Sequence, residues 1–283
     1  MKDYLRIIGA VSIWAVINGY VIKGVNASPA AIGLWMGAVG CLICFIWFAI
    51  NGVNLRSLSG KAWWLLIGLG VFAGVNNVFF YTAIKMNKVA NVALVHYLAQ
   101  PISVIWLVIF LKEKLTGKFL SAMILGFLGI TVIAWNDGRL NTELWFVFAV
   151  LSAAFYSLEI VLSRALGTNN VEPMLSSFSK LLFQVISMAI GAALFGQALA
   201  VANSQILPII IAGALLYLSF RLIFKGLQKV SGKHFSILGY IDRLGAVAIG
   251  VIVFKEVLTV NIIIGGILIL VAQSLVLFEG NAK

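Results

Sequence analysis

Long apolar runs, separated by short polar segments, occupy nearly the whole chain. Runs of membrane-spanning length fall at about 4–22, 29–50, 62–84, 89–111, 117–136, 143–163, 173–196, 205–224, 234–254 and 259–278. A transmembrane helix needs about 20 apolar residues, whereas a transmembrane strand is about half as long and alternates polar with apolar positions. The pattern therefore predicts an all-α membrane protein with ten transmembrane helices.

The composition favours the same class. Hydrophobic residues make up 62% of the chain and charged residues 10%, whereas soluble domains carry about 25% charged residues. The net charge of +11 comes from Lys and Arg that stand singly or in small groups at the ends of apolar runs. Because they form no contiguous basic patch interleaved with aromatics, we expect a lipid bilayer around the chain and no nucleic-acid partner.

The distribution of Lys and Arg predicts an orientation. With the N-terminus in the cytoplasm, 12 of the 20 basic residues fall on the cytoplasmic side, five fall outside and three lie within apolar runs. Cytoplasmic loops are enriched in Lys and Arg, so we expect both termini in the cytoplasm and a multi-pass protein of the cell (inner or plasma) membrane. The first run is interpreted as a retained helix and not as a cleaved signal peptide.

A repeat with an offset of 143 residues divides the chain into two halves, 1–138 and 139–283. Residues 80–116 align without a gap with residues 223–259, and both segments end in the pattern K-E-x-L-T. Each half holds five predicted helices, and because five is odd the second half enters the membrane from the opposite side. Two inverted five-helix repeats are typical of alternating-access carriers, with the binding site near the midplane between them.

The fourth predicted helix carries the pattern N-x-A-x-x-x-x-L-x-x-P and is followed by E-x-L-T, which recurs after the ninth. The residues concerned are Asn91, Ala93, Pro101, Glu113, Leu115 and Thr116, with Glu256, Leu258 and Thr259 in the second half. In these residues the chain resembles the EamA family of the drug/metabolite transporter superfamily. The resemblance covers nearly the whole chain and implies secondary transport, most often export of amino acids and similar metabolites. Asp242-Arg243-Leu244 departs from the Glu-Pro-type pair that is usual there.

Five ionisable side chains lie inside predicted helices, namely Glu159, Lys180, Arg221, Asp242 and Arg243. Left unpaired, each costs about 2.5–3.5 kcal/mol at the centre of a helix, so each must pair or face a cavity. In one interpretation, Arg221 and Arg243 bind a substrate carboxylate, while Glu159 or Asp242 receives an ammonium or a coupling proton. In the other, Asp242 pairs with Lys180 or Arg221 and no ligand is involved. Three cations against two carboxylates favour an anionic or zwitterionic substrate.

Aromatic and polar residues spaced three or four apart extend the candidate site, since such residues share a helix face. The substrate-binding candidates formed in this way are Trp14 with Asn18, Asn77 with Tyr81, Tyr97 with Gln100, Tyr156 with Glu159, Tyr217 with Arg221, and Tyr240 with Arg243, to which Asp242 is added. A single pair is more often an ordinary interhelical contact. The recurrence in predicted helices 1, 3, 4, 6, 8 and 9, which line the pocket in the family, favours binding. His96 joins Glu159 and Asp242 as a proton-coupling candidate.

These observations predict a secondary active transporter that exports amino acids or similar small zwitterionic or anionic metabolites by alternating access, with proton coupling as an option. Two alternatives stay open: an exporter of drug-like or cationic metabolites, and a channel or structural membrane subunit. An enzyme is not expected, because the chain has no H-E-x-x-H, G-x-S-x-G or P-loop pattern. We expect no metal or cofactor, a small molecule as partner, and a monomer as the default oligomeric state.

Overall fold

The computed structural model describes residues 2–53, 55, 58–111, 117–136, 139–140, 143–230, 235 and 238–277. The first copy of K-E-x-L-T, at 112–116, lies outside this set. The helices are α1 Lys2–Val16, α2 Ile22–Gly24, α3 Pro29–Asn51, α4 Gly60–Met86, α5 Val89–His96, α6 Ala99–Leu111, α7 Gly117–Ala134, α8 Leu144–Thr168, α9 Pro173–Phe195, α10 Asn203–Leu227, α11 Tyr240–Ile252 and α12 Val260–Leu277, with a π-helical turn at Ile17–Val21. Two strands, β1 Trp135–Asn136 and β2 Arg139–Leu140, pair antiparallel.

Within the described residues, seven helical segments are long and apolar enough to cross a membrane. They are Asp3–Gly24, Pro29–Asn51, Gly60–Met86, Val89–Phe110, Leu144–Thr168, Pro173–Phe195 and Asn203–Leu227. The other three predicted spans correspond to α7, α11 and α12, where the described apolar helices are shorter. The expectation of a helical multi-pass membrane protein is therefore confirmed, with seven of the ten predicted crossings meeting the requirements of a span.

Several helices begin or end at residues suited to those positions. Ser28 and Ser59 cap α3 and α4, their hydroxyl oxygens accepting the N–H groups of Ala31 and Ala62. Each satisfies one of the backbone donors that a helix start leaves free. Gly196 ends α9 at φ 60°, in the left-handed region that glycine adopts without strain. Local sequence thus accounts for these helix ends.

The fourth predicted span is not continuous, and this was not expected from its apolar pattern. It is divided into α5 and α6 by a turn at Tyr97 and Leu98. Around the turn, the N–H of Tyr97 donates to the carbonyl oxygen of Leu94 and the N–H of Gln100 to that of Tyr97, each three residues back. Pro101 has no N–H with which to bond the Tyr97 oxygen in an α-helix, so the ladder is interrupted there.

The first span is continuous but contains one wider turn. At Ile17–Val21 the hydrogen bonds span five residues, and the N–H of Ile22 donates to the oxygen of Ile17. Such π turns insert one extra residue into a helix and are frequent at functional sites. Gly19 lies in this turn against α11, where a Cβ would come within 3.0 Å of the Ile249 side chain. The turn therefore brings the first helix close to the second half.

The two halves interlock through small residues. Helix α9 of the second half packs against both α3 and α4 of the first. A Cβ at Gly74 would lie 2.6 Å from the Phe183 carbonyl oxygen, and one at Gly37 would lie 3.2 Å from that of Leu181. Small residues allow this close approach of helices in membranes. Helix α1 packs on α10 and α11, and the fifth helices of the two halves, α7 and α12, pack on each other.

Candidate functional site: a polar pocket between the halves

A small polar cavity of about 40 Å³ lies where the two halves meet, and we call it the central pocket. The first half contributes Trp14, Asn18, Asn76, Asn77, Phe80, Tyr81 and His96 to its wall, and the second half contributes Tyr156, Glu159, Lys180, Leu216, Phe220 and Arg243. The wall thus draws on both halves almost equally, and it gathers most of the ionisable side chains that the sequence places inside apolar helices.

A chain of polar contacts runs along the wall from α9 to α5. Lys180 forms an ion pair with Glu159 of α8. The other carboxylate oxygen, Oε2, lies 3.5 Å from Nδ2 of Asn76, and Oδ1 of Asn76 lies 3.2 Å from Nε2 of His96. Lys180 and Glu159 are 4% and 3% exposed, so the pair is shielded from the surroundings. Four helices are therefore joined by one hydrogen-bonded network.

The second ion pair joins the neighbours Asp242 and Arg243 on α11. Asp242 also accepts a hydrogen bond of 3.2 Å from Nδ2 of Asn18 in the π turn. The sequence interpretation in which Asp242 pairs with Lys180 or Arg221 is therefore wrong, because the ion-pair partner of Asp242 is Arg243, while Lys180 is bound to Glu159. The two carboxylates hold different cations on different helices, which residue spacing could not reveal.

Aromatic rings cover both buried cations. Lys180 Nζ lies 4.0 Å from the centroid of Phe220 and 5.2 Å from that of Trp14. The guanidinium carbon of Arg243 lies 5.4 Å from the ring centroids of both Phe80 and Tyr156. The negative faces of aromatic rings attract cations and offset part of the cost of removing them from water. The pocket thus stabilises its cations by ion pairs and by ring faces together.

Two buried polar atoms at this site have no hydrogen-bond partner among the described residues. They are Nδ1 of His96, on the pocket wall, and Oε1 of Gln100, one turn further along the fourth span. A buried polar group without a partner costs about 1–3 kcal/mol, and native proteins contain few of them. In a pocket wall such an atom is suited to bind a ligand or a water molecule.

The predicted site residues divide into three groups. The pocket wall contains Trp14, Asn18, Asn77, Tyr81, Tyr156, Glu159, Arg243 and the proton-coupling candidate His96. Outside the wall lie Tyr97, Gln100, Tyr217, Arg221 and Asp242, although Asp242 supports Arg243 from behind. Arg221 instead donates a hydrogen bond of 3.2 Å to the hydroxyl of Tyr217 on the same helix. Tyr240 begins α11, and its side chain is outside the described part.

Sequence reasoning missed some members of the wall. Asn76, Phe80, Leu216 and Phe220 were not candidates, and Lys180 was considered only as an ion-pair partner. Asn76 had a usable signal, since it is an amide next to Asn77 within an apolar run. The apolar residues had none, because a Leu or Phe in a membrane helix is ordinary at every position.

The charged side chains in and directly behind the pocket wall balance each other. Glu159 and Asp242 offset Lys180 and Arg243, and the additional cation counted from the sequence, Arg221, lies outside the wall. The two ion pairs therefore carry no net charge. Among the described residues, no group of three or more His, Cys, Asp or Glu could hold a metal ion.

The size of the central pocket sets a condition for binding. A volume of about 40 Å³ accommodates roughly three water molecules, at about 10–15 Å³ each by the same measure. Even a small amino acid has more non-hydrogen atoms than roughly three water molecules and does not fit this volume. Binding one therefore requires the helices of the two halves to move apart.

Sequence comparisons with known proteins match this chain to transporters. The sequence profile described as the EamA-like transporter family matches residues 1–135 and again residues 143–278. An uncharacterized transporter of Archaeoglobus fulgidus is 28% identical over 205 residues, which are 72% of this chain and 73% of that protein. The uncharacterized transporter YxxF of Bacillus subtilis is 25% identical over 213 residues, covering 72% and 67%. A crystal structure at 16% identity matches 98% of this chain and 96% of its own, with a TM-score of 0.69, and it indicates the fold alone.

Proposed function

Because the chain belongs to the EamA-like transporter family, we propose that it is a secondary active transporter of amino acids or similar small zwitterionic metabolites. Export is the proposed net direction, across the cell membrane, with both termini in the cytoplasm. A monomer is the proposed oligomeric state. The proposal combines the family membership with the chemistry of the pocket wall.

The observation that carries the proposed substrate class is the pair of buried ion pairs in and behind the pocket wall. Glu159 is held by Lys180, and Arg243 by Asp242. A substrate ammonium would bind Glu159, and a substrate carboxylate would bind the guanidinium fork of Arg243. In such a complex Glu159 and Arg243 would each still face a group of opposite charge, as they do in the ion pairs with Lys180 and Asp242.

The proposed mechanism is alternating access between two inverted five-helix repeats, ten helices in all. The double match to one family profile and the repeat offset of 143 residues support this arrangement. The central pocket lies between the halves, where such transporters place their substrate. Relative motion of the halves would enlarge the pocket and expose it to one side of the membrane at a time.

Proton coupling is proposed to act through Glu159. Protonation would neutralise the carboxylate, release Lys180 and remove the site for a substrate ammonium. The contacts of Glu159 with Lys180 and Asn76 support this role, because they link it to His96 as a second possible proton acceptor. The remaining candidate, Asp242, is bound to Arg243 and Asn18 behind the wall.

The alternative of a cationic or drug-like substrate is less well supported by the pocket. Aromatic faces are the usual recognition element for organic cations. Here the faces of Trp14 and Phe220 already contact Lys180, and those of Phe80 and Tyr156 contact Arg243. A cationic substrate would have to displace a cation of the protein from its own rings.

Two experiments test the proposed function. A thermal-shift screen of the purified protein against amino acids, nucleosides and polyamines should show stabilisation by amino acids, because a ligand that binds only the folded state raises its stability. In proteoliposomes, the stabilising amino acid should show saturable uptake that is accelerated by the same compound inside. Uptake that neither saturates nor responds to internal substrate would indicate a channel and contradict the proposal.

A further inference from the structure

At one end of the molecule, lysine side chains join helix ends through backbone carbonyl groups. Lys23 Nζ, in α2, donates to the carbonyl oxygens of Ile84 at 3.1 Å and Asn87 at 2.7 Å, at the end of α4. Lys85 of α4 donates to the oxygen of Val25 at 2.5 Å, just after α2. The last carbonyls of a helix lack partners and carry the negative end of its dipole. Each of these two helices therefore provides the lysine that caps the other.

At the same end, Glu256 joins the second half to the first. Its carboxylate accepts the N–H of Val89 at 2.7 Å and that of Ala90 at 3.0 Å, so both oxygens bind the first turn of α5. A carboxylate at a helix N-terminus satisfies free donors and interacts favourably with the dipole. Lys88 adds a bond of 2.8 Å to the carbonyl oxygen of Val257. The second copy of K-E-x-L-T thus connects the halves directly.

The backbone around Glu256 is shaped for this contact. Lys255 has φ 55°, which turns the chain back after α11 and directs Glu256 towards α5. Gly250 leaves room for the carboxylate, since a Cβ there would lie 2.5 Å from Oε2 of Glu256 and 3.5 Å from the nitrogen of Ala90. A non-glycine residue in the left-handed region is uncommon and costs free energy. The position of Glu256 is therefore maintained by specific neighbours.

We call Lys23, Lys85, Lys88 and Glu256, with the backbone groups they bind, the latch. It lies on helices that also line the central pocket. At 1.5 Å per residue, the latch positions are about 6–10 Å from the pocket positions along each helix. The pairs, pocket position first, are Asn18 and Lys23, Tyr81 and Lys85, His96 and Val89, and Arg243 and Gly250. The latch therefore lies about one to two helical turns from the central pocket, at the end that these helices share.

We propose that the latch is the gate on one side of the central pocket, the extracellular side in the predicted orientation, and that it opens during transport. This inference rests on the proposed function. The pocket must widen to accept a substrate, and separating the halves at this end breaks the bonds of Glu256 to α5. The opposite end is built differently: among the described residues it carries a cavity of about 450 Å³ lined by Ser59, Asn169 and Glu172, among others.

The test measures access to the pocket and needs no substrate. The two native cysteines, Cys41 and Cys44, are buried in α3, and both are replaced by alanine. Asn77→Cys then places one thiol in the pocket wall. Its rate of labelling by a membrane-impermeant maleimide is measured in sealed vesicles of both orientations. Val257→Cys, at a position 74% exposed beside Glu256, identifies the orientation in which the latch faces the reagent.

Two variants open the latch by different means. Glu256→Ala removes both bonds to α5, and Gly250→Ala displaces the carboxylate without changing any charge. From the latch side, each should accelerate labelling of the pocket thiol about tenfold or more, since one hydrogen bond to a charged group shifts an equilibrium by at least that factor. Val260→Ala, at a 69% exposed position at the same end of the molecule, should leave the rate unchanged. Equal rates in all four proteins, or equal acceleration by Val260→Ala, would overturn the proposal.

A tether provides the reverse measurement, which stands even if those variants fold poorly. Lys88→Cys and Val257→Cys, at positions bonded to each other in the latch, are joined by a short bifunctional reagent that forms a disulfide bond with each thiol. In this protein Asn77 is replaced by a residue with a bioorthogonal reactive group, which is labelled after the tether has formed. The closed tether should slow pocket labelling from the latch side about tenfold, and a reductant that cleaves it should restore the rate. An unchanged rate would contradict the gate, while counterflow tests transport separately.

Discussion

The central pocket and the latch use buried charge in different ways. In the pocket, Glu159 is bound to Lys180 and Asp242 to Arg243, so that side chains pair with side chains. In the latch, Lys23 and Glu256 bind backbone groups at the ends of other helices. A side-chain partner can be exchanged for the charged group of a substrate, whereas a backbone partner moves only with its helix. The first arrangement suits binding, and the second suits holding helices together.

The largest expected effect follows from separating an ion pair of the pocket. Glu159→Leu leaves Lys180 buried without its carboxylate, and we expect the free energy of unfolding in detergent to fall by about 3–5 kcal/mol. The double variant with Lys180→Met should regain most of this stability, because an apolar pair needs no desolvation, yet it should bind no amino acid. Chemical unfolding followed by circular dichroism measures the first effect and thermal shift the second. A double variant as unstable as the single one would show that the pair contributes more than charge balance.

The next effect compares two arginines that are equivalent from the sequence alone. Arg243→Lys keeps the charge opposite Asp242 but removes the planar fork for a carboxylate. We expect amino-acid exchange in proteoliposomes to fall at least tenfold, corresponding to about 1.4 kcal/mol. Arg221→Lys, outside the pocket wall, should reduce exchange less than twofold. Equal losses in the two variants would favour the wider site predicted from sequence over the narrower one in the structure.

A third effect concerns pH. Glu159 is faced by Lys180 from α9 and by Asn76 from α4, and if it carries the coupled proton its replacement removes the titrating group. Glu159→Gln should therefore flatten the dependence of exchange on pH that the parent protein shows. Exchange is measured with the same pH on both sides. A profile in the variant that parallels the parent's would assign coupling to His96 or Asp242 instead.

The smallest effect lies in the latch. Lys88→Ala removes one bond to the carbonyl oxygen of Val257 and leaves the contacts of Glu256 in place. Because this bond is exposed, unlike the part-buried bonds of Glu256, solvent reduces its net contribution to about 0.5–1 kcal/mol, so pocket labelling from the latch side should rise only about two- to fivefold. A rise in the labelling rate as large as that caused by Glu256→Ala would show that the lysine bonds contribute as much to the latch as the bonds of Glu256.

The sequence predicted the parts of this molecule that depend on local pattern. The apolar runs located the helices, and the repeat located the segment around Glu256. The break at Tyr97 could have been anticipated from Pro101, since a missing N–H is a local property. Seven of the candidate binding residues proved to lie on one wall because residues three or four apart do share a face.

The partners of the buried charges could not be predicted in the same way. Which carboxylate meets Lys180 depends on the depth and rotation of α8, α9 and α11 relative to each other, and these are set by packing at glycines such as Gly37 and Gly74. Spacing along one helix carries no information about rotation between helices. The wall residues Leu216 and Phe220 were missed for the same reason, since only the tertiary arrangement distinguishes them from other apolar residues.

The π turn at Ile17–Val21 determines the angle, around the helix axis, between side chains at the two ends of the first helix. Each residue in an α-helix advances the side-chain direction by about 100°, so one inserted residue rotates everything beyond it by that angle relative to everything before. Trp14 lies on one side of the insertion and Lys23 on the other. Deleting one residue from the turn would keep the Trp14 indole beside Lys180 but would rotate the Lys23 ammonium away from the end of α4. A single residue thus sets the angle between the part of the first helix that lines the central pocket and the part that contributes Lys23 to the latch.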